Sequence, residues 1–232
     1  KKELSIIYRP RPGNPFTRFN FKDGTKKKIW TTFTSNQIDI NVNSKPGIKY
    51  LEKIIDIFHQ SGIKIIRLDA VGYSIKKRKT NCFMINETYD FIEQLTEKAK
   101  KKSIKVLVEV HSHYKTQIKI AKKVDYIYDF ALPVLVLDTI FNKNSENLKK
   151  WLQISPRNIF TVLDTHDGIG IMDVSSEEDM PGLIDDQKLH KIINKIHKNT
   201  NNQSIKATGD SAQNLDLYQI NCTYFDALAR DE

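Results

Sequence analysis

Asp69 and Glu109 directly follow short apolar runs rich in β-branched residues, Ile63–Leu68 and Val106–Val108, and Asp167 stands just past a third, Phe160–Leu163. Such runs read as buried strands, and a carboxylate at a strand's C-terminal end is offered to the face on which parallel strands open. Three carboxylates 40 and 58 positions apart can therefore meet at one site. Arg67 stands two residues before the first, and His166 directly before the last. Carboxylates gathered this way are the material of general acid–base and nucleophilic chemistry. Each residue also has a plainer use: Arg67–Asp69 as a structural ion pair, Glu109 as a helix cap, His166 as a satisfied loop histidine.

The positioning elements follow from the hydrophobic rhythm. Residues 1–47, with Pro10, Pro12, Pro15 and Pro46, read as irregular or short-stranded, and Ile38–Val42 alternates as a half-buried strand would. Leu51, Ile54, Ile55 and Phe58 give Tyr50–Gln60 the inward face of a helix that Ser61-Gly62 stops. Strand Ile63–Leu68 follows, then a helix over Asn86–Lys102 with Phe91, Ile92, Leu95 and Ala99 inward. Strand Val106–Val110, helix Gln117–Lys123, strand Tyr126–Phe130, a helical pair across Val134–Leu152 and strand Phe160–Leu163 continue the alternation. A helix over Asp185–Lys198 and a mixed tail close the chain. Strand–helix alternation with strands apolar on both faces predicts an α/β protein with a helix-covered parallel sheet. Four βα units leave two topologies open: a doubly wound open sheet, or a slice of a (β/α)8 barrel.

Composition narrows the function classes. At 232 residues, 39% hydrophobic and mean hydropathy -0.48, the chain is read as a soluble domain with no run long enough for a membrane span and no visible secretory signal. The net charge of +9 rests on 30 lysines and only 7 arginines, placed mainly at helix ends and loops, with no aromatic-interleaved groove pattern. A solvated basic surface is therefore expected rather than nucleic-acid binding. Cys82 and Cys222, 140 positions apart, read as reduced buried thiols of a cytoplasmic protein. His111 and His113 alternate on one strand face, but no third ligand stands at a recognisable spacing, so no metal or other cofactor is expected.

Six stretches taken together resemble the sucrose phosphorylase branch of the α-amylase superfamily (glycoside hydrolase family 13). They are Ile7–Gly13, Arg67–Tyr73, Val108–Ser112, Tyr128–Pro133, Leu163–Gly170 and Asn214–Gln219. The resemblance implies a partial (β/α)8 TIM barrel of about four βα units. It further implies a domain-B-like segment over 1–47, barrel units over 48–170, and a loop-rich insertion with an acceptor-site loop over 171–232. It implies glucosyl transfer from sucrose to phosphate, giving glucose 1-phosphate and fructose by retaining double displacement. Asp69 is then the nucleophile, Glu109 the acid/base and Asp167 the third carboxylate. Arg67 pairs with Asp69, and His166 adds a hydrogen bond to the same sugar. Arg11 is the best phosphate-binding candidate, because its guanidinium offers a forked donor pair. Tyr8, Phe33, Gln37 and Tyr73 match sugar-lining positions, Phe33 having ordinary packing as an equal alternative. His111 matches a position beside the acid/base, and Asp216, Leu217, Tyr218 and Gln219 match the loop that shapes the fructose and phosphate side, where a tyrosine at 218 favours sucrose over its 6-phosphate. A homodimer is compatible with this branch.

Alternatives remain: phosphorylases of sucrose 6-phosphate or glucosylglycerol, a glucoside hydrolase, and a basic α/β binding module, which strand-end carboxylates argue against. Two departures stand out. His113 occupies a position where the family more often has an aromatic residue. The family's first barrel strands with their Asp-x-x-x-Asn-His region, its last strand and its C-terminal β-domain have no counterpart here. Two raw sheet edges are therefore expected, and a chain that is unstable or poorly active alone.

Overall fold

The structure is a computed structural model that describes residues 4–8, 14–177, 179–209 and 217–228. The chain divides into two compact units, Lys1–Glu109 and Val110–Glu232.

The first unit opens with an antiparallel hairpin, β1 (Phe16–Asn20) and β2 (Lys26–Trp30), in register from Phe16↔Trp30 to Asn20↔Lys26. Asp23-Gly24, with Gly24 at φ +81°, turns it; Asp23 accepts the Thr25 amide at 2.9 Å. This Asp-Gly signal is what sequence reading could have used. The lysine run at 26–28 therefore lies on a strand, not on the loop expected of it. Ile38–Val42 forms no strand either. Its one inward carboxylate, Asp39, is taken instead by the Thr32 amide at 2.9 Å and by Lys76 at 2.6 Å, which leaves Ile38 and Ile40 exposed.

Helix α1 (Lys45–Gln60) starts earlier than its apolar rhythm, because Ser44 caps the Gly47 amide at 3.1 Å and Pro46 suits the first turn. Ile55 is buried, whereas Phe58, expected inward, is exposed. Strand β3 (Ile65–Leu68), helix α2 (Asn86–Lys100) and strand β4 (Lys105–Val108) then make a parallel βαβ unit, paired from Ile65↔Lys105 to Leu68↔Val108. Ile92 and Ala99 of α2 and Val106 and Val108 of β4 are among its buried residues. β3 is not apolar-buried on both faces: Ile63 and Ile65 are exposed, because β3 pairs along one side only among the described residues.

In the second unit, α3 (Tyr114–Ala121) begins ahead of the expected Gln117, since the His113 imidazole caps it by accepting the Lys115 amide at 3.3 Å. β5 (Tyr126–Asp129) and β6 (Ile159–Thr161) pair in parallel, separated by α4 (Leu132–Asn142) and α5 (Glu146–Ile154). β6 stops before Leu163, and Phe160 and Leu163 are exposed rather than buried. Trp151, fully buried in α5, donates its indole N–H to both Asp129 oxygens at 3.1 Å. Burial pushes the Asp129 carboxyl above the ordinary range.

A two-residue antiparallel ladder, β7 (Ile169–Gly170) with β8 (Gln219–Ile220), ties the turn after β6 to the tail. Asp185 caps α6 (Asp186–Asn199), followed by α7 (Gln203–Thr208) and α8 (Tyr224–Ala227). Leu135, Trp151, Ile169, Ile171, Leu189 and Ile193 anchor this unit's apolar core.

Both cysteines are free; Cys82 is buried, whereas Cys222 is only half-buried, and burial pushes its thiol up to about 12. Among the described residues no helix is long and apolar enough to cross a membrane.

Candidate active site

The first two carboxylates meet because of strand register. With Leu68 opposite Val108, the next residue on each strand is Asp69 and Glu109, and the Glu109 amide continues the ladder to the Leu68 carbonyl at 3.1 Å. Neighbouring strands lie about 4.8 Å apart, a spacing that brings two strand-end carboxyls within reach of one small group. Arg67, two residues before Asp69, projects to the same side of the sheet. Its guanidinium forks: Nη1 donates to Asp69 Oδ1 at 2.6 Å and Nη2 to Glu109 Oε2 at 3.1 Å. The expected Arg67–Asp69 pair is present, and its second arm to Glu109 is a finding that spacing along the chain could not give.

The Ala70 amide also donates to Glu109 Oε2, at 2.9 Å. Ala70 has φ +46°, and this left-handed kink aims the amide at the neighbouring strand. The two carboxyls then differ in surroundings. The Asp69 side chain is 68% exposed and Glu109's only 10%. Glu109 is thus a largely desolvated acid held by two donors, beside an open carboxylate.

Below this pair, the 3-10 turn Val71–Tyr73 carries an aromatic cluster. Tyr73 stacks with Tyr8 at 6.1 Å between centroids and meets Phe33 edge-on at 5.3 Å. Phe83 joins at 4.6 Å from Tyr73. Of the four residues matched to sugar-lining positions, the structure brings these three together. Gln37 is exposed on the turn after Phe33, where its side-chain oxygen accepts the Thr34 hydroxyl at 3.1 Å.

The remaining described residues belong to the second unit. Asp167 sits in a turn six residues beyond β6, not at the strand's last residue, closed by Thr165 and Gly168 with Gly168 at φ +102°. A Cβ on Gly168 would fall 2.1 Å from the Ile220 carbonyl oxygen, so this close approach requires glycine. His166 Nε2 and Asp167 Oδ2 are 3.4 Å apart and both side chains are open, at 73% and 41% exposure. The β7–β8 ladder and the Ile171 amide, which donates to the Tyr218 carbonyl at 3.1 Å, join this turn to the segment matched to the acceptor loop. Leu217 there is buried in the apolar core, Gln219 pairs in β8, and Tyr218 meets the His111 ring at 4.9 Å. Arg11 and Asp216 lie outside the described residues.

Sequence reading missed Asp173. It is fully buried, and it accepts the Ser112 amide at 3.1 Å and the Gln117 side-chain amide, with His111 Nδ1 at 3.0 Å. The only signal was a lone acid in the apolar context Ile171-Met172-Asp173-Val174. His113 turns to other work, its Nε2 on the Pro181 carbonyl at 3.1 Å.

The chain is thus an α/β protein that sets two carboxyls on adjacent parallel strands under one guanidinium. The comparisons with known proteins give it relatives. The chain is 52% identical to the sucrose phosphorylase of Agrobacterium vitis over 233 residues, covering 100% of this chain and 48% of that protein. It is 46% identical to the sucrose phosphorylase of Bifidobacterium adolescentis, covering 98% of this chain and 46% of that protein. Glucosylglycerol phosphorylase of Marinobacter adhaerens matches at 34%, over 99% of this chain and 47% of that protein. Among solved structures, sucrose 6F-phosphate phosphorylase from Thermoanaerobacter thermosaccharolyticum superposes with a TM-score of 0.84 at 36% identity, over 98% of this chain and 46% of that one. No family model matches. The chain spans about half the length of the curated relatives it matches, and over its own length it resembles the sucrose phosphorylase branch throughout.

Proposed function

We propose that this chain carries the carboxylate-bearing part of a sucrose phosphorylase-type glucosyltransferase. The observation that carries the reading is the single guanidinium of Arg67 bridging Asp69 and Glu109 at 2.6 and 3.1 Å. Open Asp69 attacks the anomeric carbon of the glucosyl unit of sucrose. Enclosed Glu109, in its acid form, gives its proton to the departing fructosyl oxygen, leaving fructose and a glucosyl ester on Asp69. Phosphate then attacks the same carbon from the vacated side, Glu109 takes up the proton the phosphate gives, and α-glucose 1-phosphate leaves with configuration retained. Asp167 and His166, open on their turn, hold sugar hydroxyls. Tyr8, Phe33, Gln37 and Tyr73 line the sugar, and Arg11 receives phosphate. His111 stands beside the acid/base, and Asp216, Leu217, Tyr218 and Gln219 shape the acceptor side. No cofactor enters these steps.

The same reading assigns the parallel βα units over 48–170 to a (β/α)8 barrel, with 1–47 as a domain-B-like segment and 171–232 as the acceptor-loop insertion. It places the enzyme in the cytoplasm.

The test is to graft this chain in place of the matching half of a sucrose phosphorylase and measure glucose 1-phosphate release from sucrose. Phosphate-dependent release that falls at least about a thousandfold in Asp69→Ala is the expected result. Glucose release indifferent to phosphate defeats the phosphorylase reading, and unchanged turnover in Asp69→Ala defeats the nucleophile.

A further inference from the structure

The loop that carries Phe33 and Gln37 has neither strand nor helix to fix it. Its ends close on Asp39. That carboxylate accepts the Thr32 amide at 2.9 Å and the Thr32 hydroxyl, and the Asp39 amide donates to the Trp30 carbonyl at 3.0 Å. Lys76, 44 positions beyond Thr32, joins this closed loop to the turn that carries Tyr73. Its ammonium reaches Asp39 Oδ2 at 2.6 Å, Thr32 Oγ1 at 3.0 Å and the Tyr73 carbonyl, with the Trp30 ring 5.2 Å away. Resting on the glucosyl-transfer reading, we infer that Lys76 is a positioning residue. It latches the loop over 32–39 to the Tyr73 turn, so that Phe33, Gln37 and Tyr73 meet the sugar as one preformed wall.

The donors and acceptors of this latch balance. An ammonium has three hydrogens, and Lys76 meets three acceptors. A hydroxyl has one hydrogen and two lone pairs. Thr32 gives its hydrogen to Asp39 and accepts from Lys76 and from the Trp30 indole N–H at 3.1 Å. Thr32 is buried, and the side chains of Lys76 and Asp39 are largely covered. Removing one member of such an enclosed network costs more than one contact, because its partners are left unpaired.

The two sides of the wall differ in what supports them. Phe33 directly follows Thr32, and its ring meets Tyr73 edge-on at 5.3 Å. One ring contact of this kind is weak beside the entropy of ordering a loop. Tyr73 also packs on Phe83 at 4.6 Å and Tyr8 at 6.1 Å. Removing Lys76 therefore loosens the Phe33 side and leaves the Tyr73 side standing. Asp69 and Glu109 are held by Arg67 and the Ala70 amide, so the loss falls on sugar binding rather than on bond cleavage.

Two measurements test this. In the graft, Lys76→Met keeps an unbranched apolar stem and removes the donors. It is expected to raise the KM for sucrose roughly tenfold, the loss of about one hydrogen bond, with kcat within about threefold of the parent. That KM is read from total sucrose cleavage, whether phosphate or water takes the glucosyl unit. In proton NMR of the 232-residue chain at low salt, the same substitution is expected to abolish the nuclear Overhauser effect between the Phe33 and Tyr73 rings. The effect between Tyr8 and Phe83, 4.7 Å apart between centroids, is expected to stay. A retained Phe33–Tyr73 effect, a sucrose KM within about threefold of the parent, or a loss confined to kcat overturns the inference. If Lys76→Met loses both ring contacts it has unfolded, and Asp39→Asn, which keeps the side chain's shape without its charge, decides on the same measurements. A graft that splits sucrose without regard to phosphate sinks the phosphorylase reading alone, because neither measurement depends on the acceptor.

Discussion

At the scale of single residues, the site depends on geometry that only one side-chain type supplies. Arg67 reaches Asp69 and Glu109 with separate nitrogens of one planar group. Lysine keeps the charge but offers a single point rather than a fork. Arg67→Lys should therefore leave one carboxyl without its partner and lower sucrose turnover in the graft by about a hundredfold, on the scale of a lost preorganised donor. Turnover within about threefold of the parent would mean that the bridge is structural only. The first arm of this bridge was legible from spacing, since residues two apart on a strand share a face. The second was not, because it joins residues 42 positions apart and exists only once β3 and β4 adopt their register. Asp173 was illegible for a similar reason: its burial and its three partners come from segments some 60 positions upstream.

At the scale of elements, most strands and helices were read at the right place with shifted ends, and side-chain caps explain the shifts. Ser44 starts α1 ahead of its apolar rhythm, and His113 starts α3. The hairpin β1–β2 escaped because its strands are short and rich in lysine, although Asp23-Gly24 marked its turn. The His113 cap carries a pH dependence. Burial, the largest influence, lowers the His113 imidazole below its ordinary 6.5, outweighing the Pro181 carbonyl that favours its charged form. The unfolded chain therefore binds a proton at this position that the folded chain refuses, and stability rises with pH through that interval. The contribution is fully present above 6.5 and is lost as pH falls below it. Urea midpoints at about pH 7.5 and about pH 5.5 should differ more in the parent than in His113→Asn, which retains a capping side chain. Equal differences in the two proteins would remove His113 as the source.

At the scale of the whole molecule, the apolar surface is the telling feature. Ile63 and Ile65 at β3, Phe160 and Leu163 at the end of β6, and Ile57 and Phe58 on α1 are between 37% and 47% exposed. A strand with an unpaired side that exposes β-branched residues invites another strand, and exposed apolar side chains at several places add to that tendency. The chain's charge of +9 opposes association at low salt, and added salt screens it. Sedimentation of the 232-residue chain should therefore show a monomer fraction that falls as salt rises from about 0.01 M to about 0.15 M, as the Debye length shortens. Ile65→Lys places a charge on the exposed side of β3 and should restore the monomer at the higher salt. A parent chain that stays monomeric at high salt would mean that these residues are less available than their exposure implies. Association unchanged by Ile65→Lys would move the contact away from β3, to the exposed face of α1 or the end of β6.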